Sequence, residues 1–229
     1  MTRKMVFINM GFDPTASLDI VSTLSLISGD QLVVVYPRSA EEYSRLRSEQ
    51  ARTQVRNYIN TLRTLGRDIG YRELELDLTS LEASVENLLK AVKSAKEENY
   101  TVYFELTGGT RTITILMTLV AVWFSDYIDE LTFIVEVTRS RYSVPTVSPL
   151  QVNKNHIKRV LALISSRSSV RRKEICSILQ MSESSVSRAV SELKRLGIVE
   201  EKVRVVSLSE RFNVLSPLFK HLDANLSDS

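Results

Sequence analysis

The chain has 229 residues, of which 43% are hydrophobic and 25% are charged. This composition is typical of a globular protein with one large domain or a large and a small one. No apolar run approaches the roughly 18 residues of a membrane span, and no signal-peptide pattern opens the sequence, so we expect a cytoplasmic protein. The single Cys176 excludes an internal disulfide, and His156 and His221 lie too far apart for a zinc pattern, so we expect no metal or cofactor.

The net charge of +3 is unevenly distributed along the chain. Residues 1–148 hold 16 Lys and Arg against 19 Asp and Glu, a balance of −3, whereas residues 149–229 hold 14 against 8, a balance of +6. A basic C-terminal part favours contact with a polyanion such as DNA, although a solvated basic face would give the same count.

Residues 1–148 alternate short apolar runs with longer amphipathic ones, the pattern of an α/β fold. The sequence predicts a Rossmann-like, mostly parallel sheet with flanking helices. Strands are predicted at 4–10, 32–37, 71–78, 101–106 and 131–137, and helices near 14–28, 40–65, 80–98 and 110–125. The helix at 110–125 is apolar nearly all round, so we expect it to lie between the sheet and another surface, such as a second subunit. Pro145 confines any later strand to a sheet edge.

Residues 149–229 have a different organisation, which predicts a winged helix-turn-helix domain. Helices are predicted at 157–164, 171–180 and 184–197, and the turn MSES at 181–184 leads from the second helix into the first residue of the third. Residues 198–209 have strand character with charges at the centre, as expected of a wing. Such a trihelical module can also serve as a dimerisation or scaffold domain.

The third helix and the wing of this segment carry the side chains that favour DNA binding. Small hydroxyl residues and an arginine can enter a major groove, and basic residues on a wing can meet the neighbouring phosphates. The candidate DNA-binding residues are Ser184, Ser185, Ser187, Arg188, Ser191, Lys194, Arg195, Lys202 and Arg204.

The stretch LTGGTRTIT, residues 106–114, joins the fourth predicted strand to the apolar helix. In an open parallel sheet, ligands bind at the carboxyl ends of the strands, and a helix N-terminus attracts anions. Two glycines there can allow a phosphate to approach the backbone or can simply form the turn. No complete nucleotide-binding fingerprint is present, so the local sequence leaves both alternatives open. Loops at the same sheet edge supply further candidate ligand-binding residues: Met10, Gly11, Phe12, Asp13, Arg38, Ser39, Thr107, Gly108, Gly109, Thr110, Arg111 and Arg139.

MGFD at 10–13, TGGTR at 107–111 and the basic trihelical segment together resemble the archaeal CRISPR-associated transcriptional regulators. Members of that family join an N-terminal CARF domain, a Rossmann-like sensor, to a C-terminal winged helix-turn-helix. The resemblance implies a CARF domain at 1–148, a DNA-binding domain at 149–229, and a homodimer. It also implies that paired CARF domains bind a cyclic oligoadenylate, usually cyclic tetra-adenylate, and that the winged helices bind double-stranded DNA at CRISPR promoters or repeats.

Three alternatives accompany this interpretation. Some CARF domains cleave the ring they bind, and Thr110, Arg111 and Ser39 can position and stabilise such an in-line attack. The CARF-linked ribonucleases carry an arginine four to six residues before a histidine, and neither His156 nor His221 has one, so we reject that variant. A regulator that responds to another small nucleotide is the third possibility. We therefore expect a regulator with no catalytic residue.

Overall fold

The computed structural model describes residues 2–39, 41–135, 137–138, 140–148, 152–220 and 222. The chain divides into two compact units, Met1–Thr146 and Val147–Ser229. Among the described helices, none combines the length and the apolar character that a membrane crossing requires.

The first unit contains a six-stranded sheet covered by four helices, which confirms the predicted α/β class. Its elements in chain order are β1 (Arg3–Asn9), α1 (Thr15–Thr23), β2 (Gln31–Pro37), α2 (Glu42–Thr64), β3 (Gly70–Leu76), α3 (Leu81–Glu97), β4 (Tyr100–Glu105), α4 (Arg111–Trp123), β5 (Glu130–Val135) and β6 (Ser140–Val144). The strand order is β3-β2-β1-β4-β5-β6. All neighbours are parallel except β6, which runs antiparallel to β5 at the edge and ends before Pro145.

Helices cover both faces of this sheet, and that explains why its central strands are apolar without alternation. Met5 and Phe7 of β1 face a cluster formed with α3 and α4, whereas Val6 and Ile8 face a cluster formed with α1 and α2. All four side chains are at most 2% exposed. The two cores hold the carboxyl ends of β1 and β4 side by side, which is where the candidate ligand loops begin.

In its described residues, the second unit packs four helices and a short antiparallel sheet around one core. Its elements are α5 (Asn155–Arg167), β7 (Ser169–Arg171), α6 (Arg172–Leu179), α7 (Glu183–Arg195), β8 (Val199–Lys202), β9 (Val205–Leu208), a 3-10 segment (Glu210–Leu215) and α8 (Ser216–Lys220). The sheet order is β7-β9-β8. Gln180 ends α6 in the left-handed region, and Ser182 caps α7, so a three-residue turn separates these helices.

Candidate ligand site and nucleic-acid interface

The candidate ligand loops meet at the point where the strand order of the sheet reverses. From β1 the chain proceeds to β2 on one side, while β4 lies on the other side of β1. The crevice between two such strands is the usual ligand position in an open α/β sheet. Here the two loops are in close contact, because a Cβ on Gly11 would lie 3.3 Å from the Cα of Gly109.

Asn9, the last residue of β1, joins the two loops through its buried side-chain amide. Its Nδ2 donates to the carbonyl oxygens of Gly108 (3.1 Å) and Thr110 (3.0 Å) and to the Thr114 hydroxyl (2.7 Å). Its Oδ1 accepts from the Thr110 amide at 3.1 Å. One side chain therefore satisfies much of the turn's backbone, and this fixes the turn before any ligand binds.

Gly109 is required at its position for two independent reasons. Its φ of +72° lies in the left-handed region, and a Cβ there would come within 2.1 Å of Asn9 Oδ1 and 2.7 Å of the Asn9 carbonyl carbon. Gly108 also has a positive φ, but a Cβ there would meet only Ala16 at an ordinary 3.5 Å. The Gly109 backbone can approach Asn9 only because it has no side chain.

The Thr107 hydroxyl uses its hydrogen bonds within the protein. Its hydroxyl donates to Glu105 and accepts from the Ile134 amide at 2.7 Å. Thr110 and Arg111 differ from it. Thr110 is the N-cap residue of α4 and has extended backbone, but its side chain makes no capping hydrogen bond. Among the described residues, the exposed Arg111 guanidinium has no ion pair or hydrogen bond. The start of α4 thus offers amide hydrogens and one uncommitted cation.

The other predicted ligand residues lie in mixed surroundings. Met10 is buried in the core, and Phe12 is half exposed, with the Arg47 guanidinium 4.9 Å from its ring centroid. Asp13 accepts from the Thr15 hydroxyl (2.6 Å) and amide (2.9 Å), and these bonds lower the pKa of its carboxyl. Arg38 lies 3.7 Å from Asp77, and Ser39 donates to the Glu41 carbonyl. Arg139 lies outside the described residues.

Helix α7 presents a polar surface that matches the predicted recognition residues. Its buried side chains are Val186, Ala189, Val190 and Leu193, and Ser184, Arg188, Ser191, Lys194 and Arg195 are exposed. The Ser182 hydroxyl caps the helix by accepting from the Ser185 amide at 3.2 Å. Within the described part of the chain, Arg188 and Arg195 make no ion pair, so both guanidinium groups are available to a partner.

The second unit contains a charge cluster on Glu201 that the sequence did not indicate. Arg172 donates to both carboxylate oxygens of Glu201 at 2.7 and 2.8 Å and to the Ser187 hydroxyl at 3.1 Å. Lys194 donates to the same carboxylate at 3.2 Å. The bond from Arg172 lowers the pKa of Glu201, with a smaller contribution from Lys194, and the bond to Glu201 raises that of Arg172. Glu201 thereby ties β8 to α6 and α7.

The hairpin between β8 and β9 ends in a two-residue turn, Val203 and Arg204. Both have a positive φ, +51° and +63°, as expected of the turn type that matches strand twist. Val203 is 96% exposed, and Lys202 beside it pairs with Glu200 at 3.3 Å. Together with Arg172, Ser187 and Glu201, the turn borders a groove between the hairpin, α6 and α7.

Asn9, Glu105 and Arg172 are among the polar residues of these sites that sequence reasoning missed. Asn9 and Glu105 are the last residues of β1 and β4 and the next-to-last residues of the predicted apolar strands 4–10 and 101–106, and a polar residue at that position was a usable signal. Within the described ranges, no group of three or more His, Cys, Asp or Glu side chains could hold a metal ion.

The fold and its switch point place the first unit among the Rossmann-like domains. A family comparison then matches residues 4–144 to the Csa3 CRISPR-associated Rossmann-like domain. Because this match covers more than half of the chain, the protein belongs to that family. No curated protein sequence matches the chain.

Several solved structures are distantly similar to this chain. Enterococcus italicus Csm6, bound to cyclic hexa-2'-fluoro-hexa-dAMP, aligns with a TM-score of 0.48 and 12% identity, covering 85% of this chain and 52% of that one. Protein VC1899 from Vibrio cholerae aligns with a TM-score of 0.45 and 10% identity, covering 96% of this chain and 66% of that one. Quinone-bound YodB from B. subtilis aligns with a TM-score of 0.29 and 22% identity, covering 35% of this chain and 91% of that one. The chain thus spans about half of the Csm6 chain, and the function argued below does not rest on these similarities.

Proposed function

We propose that the protein is a ligand-responsive transcriptional regulator of CRISPR-Cas genes. Its first unit, a CARF domain, binds a cyclic oligoadenylate, cyclic tetra-adenylate in particular, and its second unit is a winged helix-turn-helix that binds double-stranded DNA. The observation that carries the ligand half is the glycine turn locked by Asn9 at the switch point, with an unpaired Arg111 at the start of α4.

The chemistry of this turn suits a phosphodiester. The α4 amide hydrogens and the partial positive charge of the helix N-terminus favour an anion, and Arg111 can add a charge-assisted bond. The half-exposed Phe12 ring, already stacked with Arg47, offers a flat apolar surface one residue from the Gly11–Gly109 contact. A nucleotide presents both of the groups that such a surface can bind, a phosphate and an aromatic base.

Helix α4 supports the proposed homodimer. The sequence predicted that this helix lies between the sheet and another surface such as a second subunit. In the single chain, Ile115, Leu119 and Trp123 recur at four-residue spacing and are 47–60% exposed. An apolar stripe of this kind on a helix is typical of a surface that a partner covers. Since α4 begins at the glycine turn, a two-fold dimer through this stripe would bring two turns towards one ring-shaped, two-fold-symmetric ligand.

Arg111→Ala tests the ligand half of the proposal. We expect cyclic tetra-adenylate to bind the variant at least about tenfold more weakly, because a hydrogen bond to a charged group is worth roughly 1.5–3 kcal/mol. Titration calorimetry measures the affinity, and Arg45→Ala on the exposed surface of α2 is the matched control. Equal affinities of Arg111→Ala and the parent would refute the site.

Incubation of the protein with the labelled ring separates a sensor from a ring nuclease. As a sensor, the protein is expected to return the ring intact, whereas a linear product would make it an enzyme. Native mass spectrometry of the protein purified from cells that make cyclic oligoadenylates identifies the natural ligand. A different nucleotide in that spectrum would replace cyclic tetra-adenylate in the proposal.

The exposed cations of α7 and the hairpin support DNA binding. Arg188 and Arg195 extend from one helix, Arg204 lies at the tip of the hairpin, and the unit as a whole is basic. Such an arrangement can place a helix in a major groove and a wing against the adjacent backbone. Ser184, Ser187 and Ser191 add hydroxyl groups that bond to either bases or phosphates.

Arg188→Ala combined with Arg195→Ala tests this half. We expect weaker binding to a CRISPR promoter fragment and a logarithmic salt dependence less steep by about 2, since each lost phosphate contact removes roughly 0.9. Gel shifts across a salt series measure both quantities. Arg167→Ala combined with Lys220→Ala removes the same charge from α5 and α8 and serves as control. Unchanged affinity and slope in the α7 variant would contradict the assignment.

A further inference from the structure

Glu105 is a carboxylate without any solvent exposure, and it lies directly before the glycine turn. It accepts bonds from the Thr107 hydroxyl, the Thr107 amide (3.1 Å) and the Thr132 hydroxyl (2.7 Å). A buried charge of this kind is costly unless it is hydrogen-bonded and paired with an opposite charge. The first two bonds attach Thr107, at the start of the turn, to the last residue of β4.

The opposite charge comes from Arg141 on the edge strand β6. Its Nε lies 3.5 Å from Glu105 Oε2, and its Nη2 donates to the Thr132 hydroxyl at 3.0 Å. The Arg141 Nε is buried and has no hydrogen-bond partner. Among the described residues, the carboxylate that lies within 4 Å of this Nε belongs to Glu105. If Arg141 moved away, the Glu105 carboxylate would remain buried without a compensating charge, whereas the Arg141 side chain is 22% exposed.

Strand β6 has few other attachments, so this pair matters to its position. It forms a ladder with β5 alone, and its last residue, Val144, lies two residues before the end of the first unit. The same carboxylate therefore contacts the candidate ligand turn on one side and, on the other, the strand from which the chain continues to the second unit.

We propose that Glu105 and Arg141 are a positioning pair that connects the ligand turn to β6. Through Thr107, Glu105 holds the turn in the shape that the ligand requires, and through Arg141 it makes the order of β6 depend on that shape. The inference rests on the proposed ligand function and adds two residues that do not contact the ligand themselves.

Glu73 provides a matched control within the same sheet. This carboxylate on β3, at the opposite edge, pairs with Arg52 at 3.2 Å and with Arg56, and it accepts from Tyr71 at 2.8 Å. Glu73→Gln and Glu105→Gln each remove one charge from a partly or fully buried cluster. Both variants are expected to lower the melting temperature, but only Glu105 contacts the glycine turn.

The experiment measures cyclic tetra-adenylate affinity and amide hydrogen exchange in parallel. We expect Glu105→Gln to bind the ring about tenfold more weakly and Glu73→Gln to bind within about twofold of the parent. In the parent, the ring should slow exchange at residues 140–144, and in Glu105→Gln this slowing should be absent even at saturating ring. Should Glu105→Gln not fold, Arg141→Gln replaces it and is expected to give the same two changes.

Each other outcome overturns the inference. Parent-like affinity and exchange in Glu105→Gln would show that the pair positions nothing. Equal loss of affinity in Glu73→Gln would show a general effect of stability instead. Both of these results leave the proposed function intact if Arg111→Ala still weakens binding about tenfold or more. A parent protein that does not bind the ring would overturn the proposed function, and this inference with it.

Discussion

The two candidate sites differ in how their cations are partnered before any ligand arrives. At the start of α4, Arg111 makes no ion pair with the residues that the structure describes, and the turn beside it is held by backbone bonds to Asn9. In the second unit, Arg172 and Lys194 share Glu201, and Lys202 pairs with Glu200. Arg111 is thus available directly, as are Arg188 and Arg195 on α7, whereas Arg172, Lys194 and Lys202 would have to exchange a carboxylate for a phosphate.

This difference implies that the two sites respond differently to mutation. The turn requires that Gly109 has no side chain and that the Asn9 amide keeps its position. A substitution that adds atoms there should therefore strongly reduce stability and ligand binding. In the Glu201 cluster, flexible side chains can exchange one ion-pair partner for another, so a substitution that changes charge there should alter stability or affinity only moderately. Three predictions test this contrast, in order of expected size.

Gly109→Ala should have the largest effect, on both the stability and the ligand binding of the first unit. A left-handed alanine costs about 1–2 kcal/mol, and the contact with Asn9 adds roughly 1–3 kcal/mol of overpacking. The sole tryptophan, Trp123 on α4, reports unfolding of this unit in urea.

Gly66→Ala separates the cost of backbone strain from the cost of the steric contact with Asn9. Gly66 also has a positive φ, +84°, but a Cβ there would have no neighbour within 4 Å. We expect it to lose about 1–2 kcal/mol from backbone strain alone and to bind cyclic tetra-adenylate as the parent does. If the two alanine variants were equally stable, Asn9 would not be the obstacle that its distance indicates.

Glu201→Gln should have a smaller effect of opposite sign, an increase in DNA affinity. Releasing Arg172 and Lys194 makes two cations available to phosphates. Exposed ion pairs are worth about 0.2–1 kcal/mol, and those of the Glu201 side chain, which is 14% exposed, lie at the upper end of that range, so we expect roughly fivefold tighter binding. Fluorescence anisotropy with a labelled promoter fragment measures this change. Glu200→Gln, which releases only Lys202, should change affinity less. Weaker binding by Glu201→Gln would mean instead that the cluster positions Arg172 for its DNA contact.

The smallest predicted effect is a pH dependence in the second unit. Arg172, and then Lys194, lower the pKa of Glu201 when the chain is folded. The resulting stability is present above the unfolded glutamate pKa of about 4.3 and is lost as the pH falls through the lower folded value. Urea unfolding followed by circular dichroism should therefore show a parent more stable than Glu201→Gln at pH 7, with the gap closing in acid. A constant gap would contradict the pairing.

The sequence was sufficient to predict most of the helices and strands, because those have a local signal, but it did not predict β7, which has only three residues. The apolar runs gave β1 to β5, and the change to helical spacing after residue 150 gave α5 to α7. Gly108 and Gly109 also identified the turn correctly, since their positive φ is a local requirement.

The polar partnerships could not be predicted in the same way, because they join residues far apart in sequence. Asn9 contacts residues about 100 positions away, and Arg172 meets Glu201 across 29 positions. Thr107 illustrates the difficulty most clearly. Its place beside two glycines suggested a ligand hydroxyl, but the folded chain uses it to satisfy Glu105 and Ile134.

The amide of Asn9 also has a kinetic consequence. A glycine-rich loop that is disordered when empty must be ordered during each encounter, and this slows association and weakens the complex. Because Asn9 holds Gly108 and Thr110 in place beforehand, a ligand meets a surface that is already shaped. Changes to the ligand should then alter mainly how long it stays bound rather than how quickly it arrives.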